Sequence, residues 1–368
     1  MSAPAKNLLR LFGAAAAIIV LAAALNFAVD PLQLFRPARL YPAVYSADSR
    51  LQNAGLIRSQ NFDTVFMGTS LAVHFRQSDI DRYLGVHSLK LATSGSTSVE
   101  QNFMLRAALR RHPKMVIWEM DEWIFRDAPD IDHESYLPAD LYRMNAKGVL
   151  GYLFSLDTSR ETLWILLRFI KPLTTVAHGL AAAQYLKFHQ NQVDEINALP
   201  ASADLSSLYG SSKIRAAFLY NLKHPSDISA GYNYDAMVGN FERDAVGLIE
   251  KNPDVQFRIY FPPYSILQFV AMREIAPDNL QLVYKFSAYI VDRLLSLPNV
   301  TVSDFRDVEY LTHDLNNYVD LLHHSPVVDQ QILLNLAAGN YAVARDAPMA
   351  SIKRLRSQVE AHRPGIER

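Results

Sequence analysis

Hydrophobic and polar positions alternate in three distinct ways along this chain. The first is a run: Leu11 to Val29 is almost wholly apolar, interrupted mainly by Asn26. As a helix, residues 11–29 span ~28 Å, close to the thickness of a bilayer core. Lys6 and Arg10 precede it, which sets the N-terminus in the cytoplasm and residues 31–368 outside. A cleaved signal peptide is the competing reading, because Ala22-Ala23-Ala24 offers small residues to a peptidase. The apolar run continues past those alanines, which favours an uncleaved anchor, and Asp30-Pro31 ends it.

The second pattern is a set of short apolar runs, each followed by glycine or small polar residues. Val65–Met67, Val86–Leu91, Met115–Glu119, Val255–Phe261 and 299–304 read as buried strands. Between them lie longer stretches that read as helices: 48–58, 78–84, 99–111, 234–251, 279–296 and 327–338. Ser78 is a plausible cap for the second of these, and Ser98 for the third, with Gln101 at capping-box spacing. Strand, helix, strand, helix, strand is the signature of a parallel sheet with crossover helices. Parallel topology puts the loops after the first three strands, with Ser70, Gly95 and Asp121, on one edge of the sheet.

The third pattern breaks the rhythm. Residues 127–232 hold an acidic irregular stretch, two mainly helical stretches at 156–170 and 174–190, and a polar stretch at 199–213. This reads as a helical insertion or a lid. The organisation is therefore an anchor or signal peptide at 1–30, α/β segments at 31–126 and 233–350 with the insertion at 127–232 between them, and an exposed basic tail at 351–368. Residues 31–60 are an extended lead-in with Pro31, Pro37 and Pro42.

Composition narrows the chemistry. Half of the 368 residues are hydrophobic, a fifth are charged, and the formal net charge is −1. Nothing there points to nucleic acid. The chain has no cysteine, which excludes disulfides, thiolate metal sites and a cysteine nucleophile, and fits an oxidising compartment.

Gly68-Thr69-Ser70 follows the first strand, where a glycine permits a sharp turn and a serine stands at the carboxyl end of the sheet. Taken alone, the same pattern is satisfied by a serine that merely caps a helix. The far end of the chain adds Asp320 and His323 three residues apart, so one turn can carry a histidine base and the carboxylate that fixes its tautomer. Ser70 is then the nucleophile that His323 activates. Four other candidates have plainer readings. His324, with Asp320 and His313, suggests a metal, but adjacent histidines rarely face one ion; no metal and no cofactor are expected. His74, one helical turn beyond Ser70, reads as a surface histidine, with an approach to the site as the alternative. Glu119 and Asp121 carry little warrant as a glycosidase pair. Trp118 and Trp123 read as packing rather than a sugar platform.

These pieces occur in an order that resembles the SGNH (GDSL-like) hydrolase superfamily. They resemble most its envelope branch, which includes proteins of alginate O-acetylation and teichoic acid D-alanylation. The matching segments are Gly68-Thr69-Ser70, Ser94-Gly95-Ser96 with Glu100-Gln101 behind it, Trp118–Trp123, Phe261-Pro262-Pro263-Tyr264, and Asp320 to Pro326. They span about residues 60–340, the insertion unmatched. The resemblance implies a flavodoxin-like, SGNH-type α/β sheet with flanking helices. It implies catalysis by Ser70, His323 and Asp320, with the backbone N–H groups of Ser70 and Gly95 as oxyanion donors. One departure stands out: where the family pattern places an asparagine donor, this chain has Asp121.

The expected activity is acyl-ester transfer or hydrolysis on a cell-envelope polysaccharide, by a serine-dependent acyltransferase or esterase. The protein is expected in the inner membrane, a single pass through residues 11–29, with its globular part in the periplasm. Expected partners are a polysaccharide or acyl donor and a membrane-bound acyltransferase. The alternative is a non-catalytic glycan-binding or scaffold subunit of a modification or export complex.

Overall fold

The computed structural model describes residues 3–38, 49–126, 138–143, 145–170, 209–225 and 231–364. The expected helix at 174–190 and most of the polar stretch at 199–213 lie outside them. In chain order the helices of the described residues include α1 (Ala3–Val29), α2 (Ser49–Ser59), α3 (Ser70–Val73), α4 (Gln77–Leu84), α5 (Ser98–Leu109), α6 (Ala139–Arg143), α7 (Ala146–Leu153), α8 (Leu156–Ile170), α9 (Ser211–Lys223), α10 (Tyr234–Phe241), α11 (Ile266–Ile275), α12 (Pro277–Leu295), α13 (Pro326–Ala338) and α14 (Ala350–Ala361). The strands are β1 (Thr64–Met67), β2 (Ser88–Lys90), β3 (Met115–Glu119), β4 (Gln256–Phe261) and β5 (Val300–Asp304).

These elements form two units, one within Met1–Gln60 and Glu134–Gln192, the other within Asn61–His133 and Val193–Arg368. The sequence reading draws its boundaries at 30, 126 and 232. Instead α2 and α6–α8 group with the N-terminal helix, because their buried faces meet one another: α1 packs on α7 and α8, and α2 on α6.

In the first unit, α1 is long and apolar enough to cross a membrane. Its end is built by Asp30, whose carboxylate accepts the N–H groups of Leu34, Phe35 and Arg36 at 2.9–3.0 Å. Arg36 donates to the free carbonyl of Ala28 at 2.7 Å, closing orphan acceptors at the helix C-terminus. Tyr152 of α7 bonds Asp30 at 2.9 Å.

The second unit is an α/β fold. Its five strands are all parallel, in the order β2-β1-β3-β4-β5. The chain moves outward from β1 to β2, then crosses back so that β3 lies on the other side of β1. Such a reversal opens a crevice at the carboxyl ends of the two strands, here β1 and β3. Strands buried on both faces read as apolar runs, and β1 is buried throughout. One face, with Phe66, Ile117 and Tyr260, packs on Ile80 of α4 and on Val328, Ile332 and Leu336 of α13. Behind the other face, Phe125, Phe241 and Phe286 meet edge to face at 5.4–6.3 Å, a favoured aromatic geometry.

Helix starts differ from expectation in two places. Thr97, not Ser98, caps α5, in a capping box with Glu100; Ser98 instead bonds Asp244 at 2.6 Å. α4 begins at Gln77 and Ser78 does not cap it. The segment read as an exposed tail from 351 forms α14, with Ser351, Ile352, Leu355 and Val359 buried. The apolar spacing of those residues fits one face of a helix, which its many arginines and lysines obscure.

Candidate active site

Ser70 is the first residue of α3, directly after the turn that leaves β1. Thr69 caps that turn: its hydroxyl oxygen accepts from Leu71 N–H at 3.3 Å. Gly68 has no alternative, since a Cβ there would lie 2.4 Å from Ala72 Cβ and 2.5 Å from Glu119 Oε2. Glu119, the last residue of β3, occupies the space under the turn. Its Oε2 accepts from Thr69 N–H at 2.7 Å and from the Thr69 hydroxyl at 3.0 Å.

His323 arrives from a distant loop. Ser70 Oγ lies 2.8 Å from His323 Nε2, and His323 Nδ1 lies 2.7 Å from Asp320 Oδ2. With Nδ1–H donating to the Asp320 carboxylate, the Nε2 lone pair faces the serine hydroxyl. Asp320 is itself fixed, since its Oδ1 accepts from the N–H groups of Leu322 and His323, both at 2.8 Å. The loop is fastened to the segment after β4: Ser265 N–H donates to Leu321 O at 3.1 Å, and Tyr318 Oη to Pro263 O at 3.4 Å. The structure thus brings together three residues separated by up to 253 positions in the chain.

Electrostatics match the geometry. Burial alone lowers the proton affinity of His323, but its hydrogen bond to Asp320 and the charges of Asp320 and Asp121 outweigh this and hold its pKa above the usual histidine value. Burial alone raises Asp320, but His323 and the two backbone N–H groups pull it below the usual carboxylate value.

The Gly95 loop stands beside the serine turn, because Thr93 N–H donates to Gly68 O at 3.0 Å. Gly95 is exposed at φ +64, in a tight turn closed by Ser96 N–H on Thr93 O at 3.2 Å. Behind it a buried chain runs from Trp118 Nε1 to Gln101 Oε1 at 2.7 Å and from Gln101 Nε2 to Ser96 Oγ at 3.0 Å. Trp118 is therefore part of the core, and it holds this loop through its indole N–H.

Asp121 is buried at the end of β3. Its Oδ1 accepts from Trp123 N–H at 2.8 Å, capping a short 3₁₀ turn, Glu122–Phe125. Burial and the neighbouring Glu122 push its pKa up to about 6, against the Trp123 N–H and the Arg126 charge. The Arg126 guanidinium lies over the rings of Trp123 and Tyr232 at 4.3 and 5.4 Å, so Trp123 is a platform for an arginine. Burial, with Asp121's charge, raises Glu119 to about 8. That carboxyl sits inside the fold beneath Thr69, which removes Glu119 from any glycosidase pairing.

One histidine departs from the sequence reading, and the structure places a second. His324 turns inward, its Nδ1 2.9 Å from Asp329 Oδ1, both side chains buried. Among the described residues no group of three or more histidine, aspartate or glutamate side chains is placed to hold a metal ion. His74 is not a surface residue. It is half-buried, and burial lowers its pKa while the charges of Asp329, His324, His323 and Lys90 act on it.

Glu119 is the functional contact that sequence reasoning missed. The available signal was an acidic residue closing an otherwise apolar strand. No protein-family model matches this chain, and no curated protein sequence matches it.

Proposed function

We propose that this protein is a membrane-anchored, extracytoplasmic SGNH-like protein with flavodoxin-like topology. It acts in acyl-ester transfer or hydrolysis on a cell-envelope polysaccharide. The observation that carries this reading is the unbroken line from Ser70 Oγ through His323 to Asp320, at 2.8 and 2.7 Å. Such a line lets His323 take the serine proton as Oγ attacks an acyl carbonyl, then return it to the leaving group. A sugar hydroxyl or water then accepts the acyl group from Ser70. The strand order 2-1-3-4-5 and the crevice between β1 and β3 support the fold assignment. The apolar α1, with Lys6 and Arg10 before it, supports a periplasmic globular part. The partners that fit are an acyl donor, a polysaccharide acceptor and a membrane-bound acyltransferase.

One observation favours the non-catalytic alternative: Asp121 supplies a carboxylate, where an asparagine would supply a donor to an oxyanion. Covalent labelling by a fluorophosphonate serine probe separates the two. Catalysis predicts labelling of the full-length protein that Ser70→Ala and His323→Ala both abolish. A scaffold predicts no labelling above background in any of the three.

A further inference from the structure

The first unit contains a helix with its polarity reversed. In α8, Leu156, Arg160, Leu163, Trp164 and Leu167 fall within an arc of about 100°. Leu156 is 87% exposed, Leu163 56%, Trp164 47% and Leu167 37%. The opposite face carries Thr158, Thr162 and Ile165, all buried. A helix on the surface of a water-soluble protein hides its large apolar residues and shows its hydroxyls. Here the hydroxyls are hidden and leucines and a tryptophan face outward.

What α8 packs against explains the reversal. Asn26 of α1 donates through Nδ2 to Ser159 Oγ at 2.9 Å and to Leu153 O at 2.8 Å. Toward the end of α1 the covered positions are Ala22, Ala23, Asn26 and Val29, spaced as one helical stripe. Small residues at the contact, a side-chain amide bridging it and large apolar residues outside it are how helices associate in lipid. Asn26 lies three residues before the end of α1, about 5 Å along the axis. That sets the α1–α8 contact at the level of the membrane–water interface. Trp164 and Arg160 on the outward face are residue types that settle at that depth, an indole at the headgroups and an arginine whose stem lies along apolar surface while its head reaches water.

We propose that α8 is a second membrane-contacting element, lying in the interfacial zone of the bilayer beside α1 with Leu156, Leu163, Trp164 and Leu167 against lipid. The occupant is lipid rather than a partner protein because α8 packs on α1, a helix apolar enough to cross a membrane whose Ile18, Ile19, Val20 and Leu21 are each more than half exposed. Whatever solvates that stretch of α1 also meets the helix docked on it. The neighbouring Leu150 and Phe154, 54% and 50% exposed, extend the same apolar margin. The inference rests on α1 spanning the bilayer. It replaces a tether by a two-helix seat, with the amphipathic character of helices that lie in the interface.

The absence of cysteine makes the test direct. Single substitutions Ile18→Cys, Thr158→Cys, Leu163→Cys, Leu167→Cys and Lys353→Cys are made in the full chain, spin-labelled and reconstituted in phosphatidylcholine–phosphatidylglycerol nanodiscs. Collision with oxygen, which concentrates in lipid, is compared with collision with a soluble nickel complex. The expected result is that Leu163→Cys and Leu167→Cys favour oxygen as Ile18→Cys does, that Lys353→Cys favours nickel, and that Thr158→Cys is shielded from both. Nickel access at 163 and 167 with Ile18→Cys still in lipid overturns the inference and leaves the anchor intact. Shielding of 163 and 167 from both reagents overturns it in favour of a protein partner. Nickel access at Ile18→Cys removes the anchor and the inference together.

Discussion

A single carboxylate oxygen of Glu119 receives both hydrogen-bond donors of Thr69, its N–H at 2.7 Å and its hydroxyl at 3.0 Å. This joins the end of β3 to the turn that presents Ser70, one residue further on. The position of the serine is thus determined by a side chain from the neighbouring strand as well as by its own backbone.

The close approach of Glu119 sets the first prediction. Gly68→Ala places a methyl group 2.4 Å from Ala72 Cβ and 2.5 Å from Glu119 Oε2. Both neighbours belong to the packed interior, so the turn must move. Overpacking of this kind costs about 1–3 kcal/mol, read as a lowered midpoint in urea. Labelling of Ser70 should fall further than stability does, because the displaced segment carries the serine that is the nucleophile of the proposed reaction. A variant with wild-type stability and labelling excludes the tight packing described here.

Glu119 also makes stability depend on pH. Burial raises its pKa from 4.5 to about 8, so the folded state keeps a proton that the unfolded state has released. Stability then declines as pH rises from about 4.5 to about 8, and levels off above. Glu119→Gln retains an acceptor for Thr69 and cannot ionise. Its stability relative to wild type should therefore improve by a few kcal/mol across that window. Parallel urea titrations at pH 5 and pH 8 measure the difference, and an unchanged gap between the two proteins contradicts the assignment.

Much of this was legible in the sequence. The apolar runs located all five strands because each is short and mostly buried, β1 throughout and β3 nearly so. Gly68-Thr69-Ser70 and the Asp320–His323 spacing identified a pair of segments whose side chains meet. Other features left no local trace. The capping of α5 by Thr97 rather than Ser98 is a one-residue difference between adjacent hydroxyls. The grouping of α6–α8 with α1 is a tertiary outcome, and the sequence records only a helical stretch at 156–170 with an apolar run at 163–167. Arg306 carries no motif at all. It is buried between Asp304 and Glu122, bonding Asp304 at 2.7–2.8 Å through two nitrogens, bonding Glu122 as well, and lying over the Phe261 ring.

That arginine supplies the third prediction. Burial opposes its charge, but Asp304 and Glu122 outweigh burial and raise its pKa, while holding Asp304 below the ordinary carboxylate range. Ser287 Oγ adds a 2.7 Å bond to Glu122, so four polar groups satisfy one another behind the Asp121 loop. Arg306→Leu strands two buried carboxylates. Removing one partner of such a cluster costs roughly 3–5 kcal/mol, and the double variant with Glu122→Gln should recover part of the loss. Additive losses in the double-mutant cycle would mean that the two side chains do not interact.

The last prediction concerns Asp121 and the acid limb of turnover. In the proposed catalysis His323 is a base only when neutral, so kcat/KM is expected to fall as pH drops through its pKa. That pKa is held above 6.5, chiefly by Asp320, with a contribution from the charge of Asp121. Asp121 has its own pKa at about 6, so it is mostly ionised at pH 7 and favours the protonated histidine. Asp121→Asn removes that charge and keeps an oxygen able to cap Trp123 N–H. The His323 pKa should fall, and the acid limb should move to lower pH. Aryl-ester turnover measured from pH 5 to 9, at equal fold content, reads the shift directly. On the plateau above the limb the same variant tests a second role: if position 121 stands at the oxyanion of the proposed reaction, an amide supplies a donor where a carboxylate repels, and turnover there should rise. A shifted limb with an unchanged plateau assigns Asp121 to tuning His323 alone. An unshifted limb removes Asp121 from the electrostatics of the base, and loss of turnover in Ser70→Ala but not in His323→Ala would remove His323 from catalysis altogether.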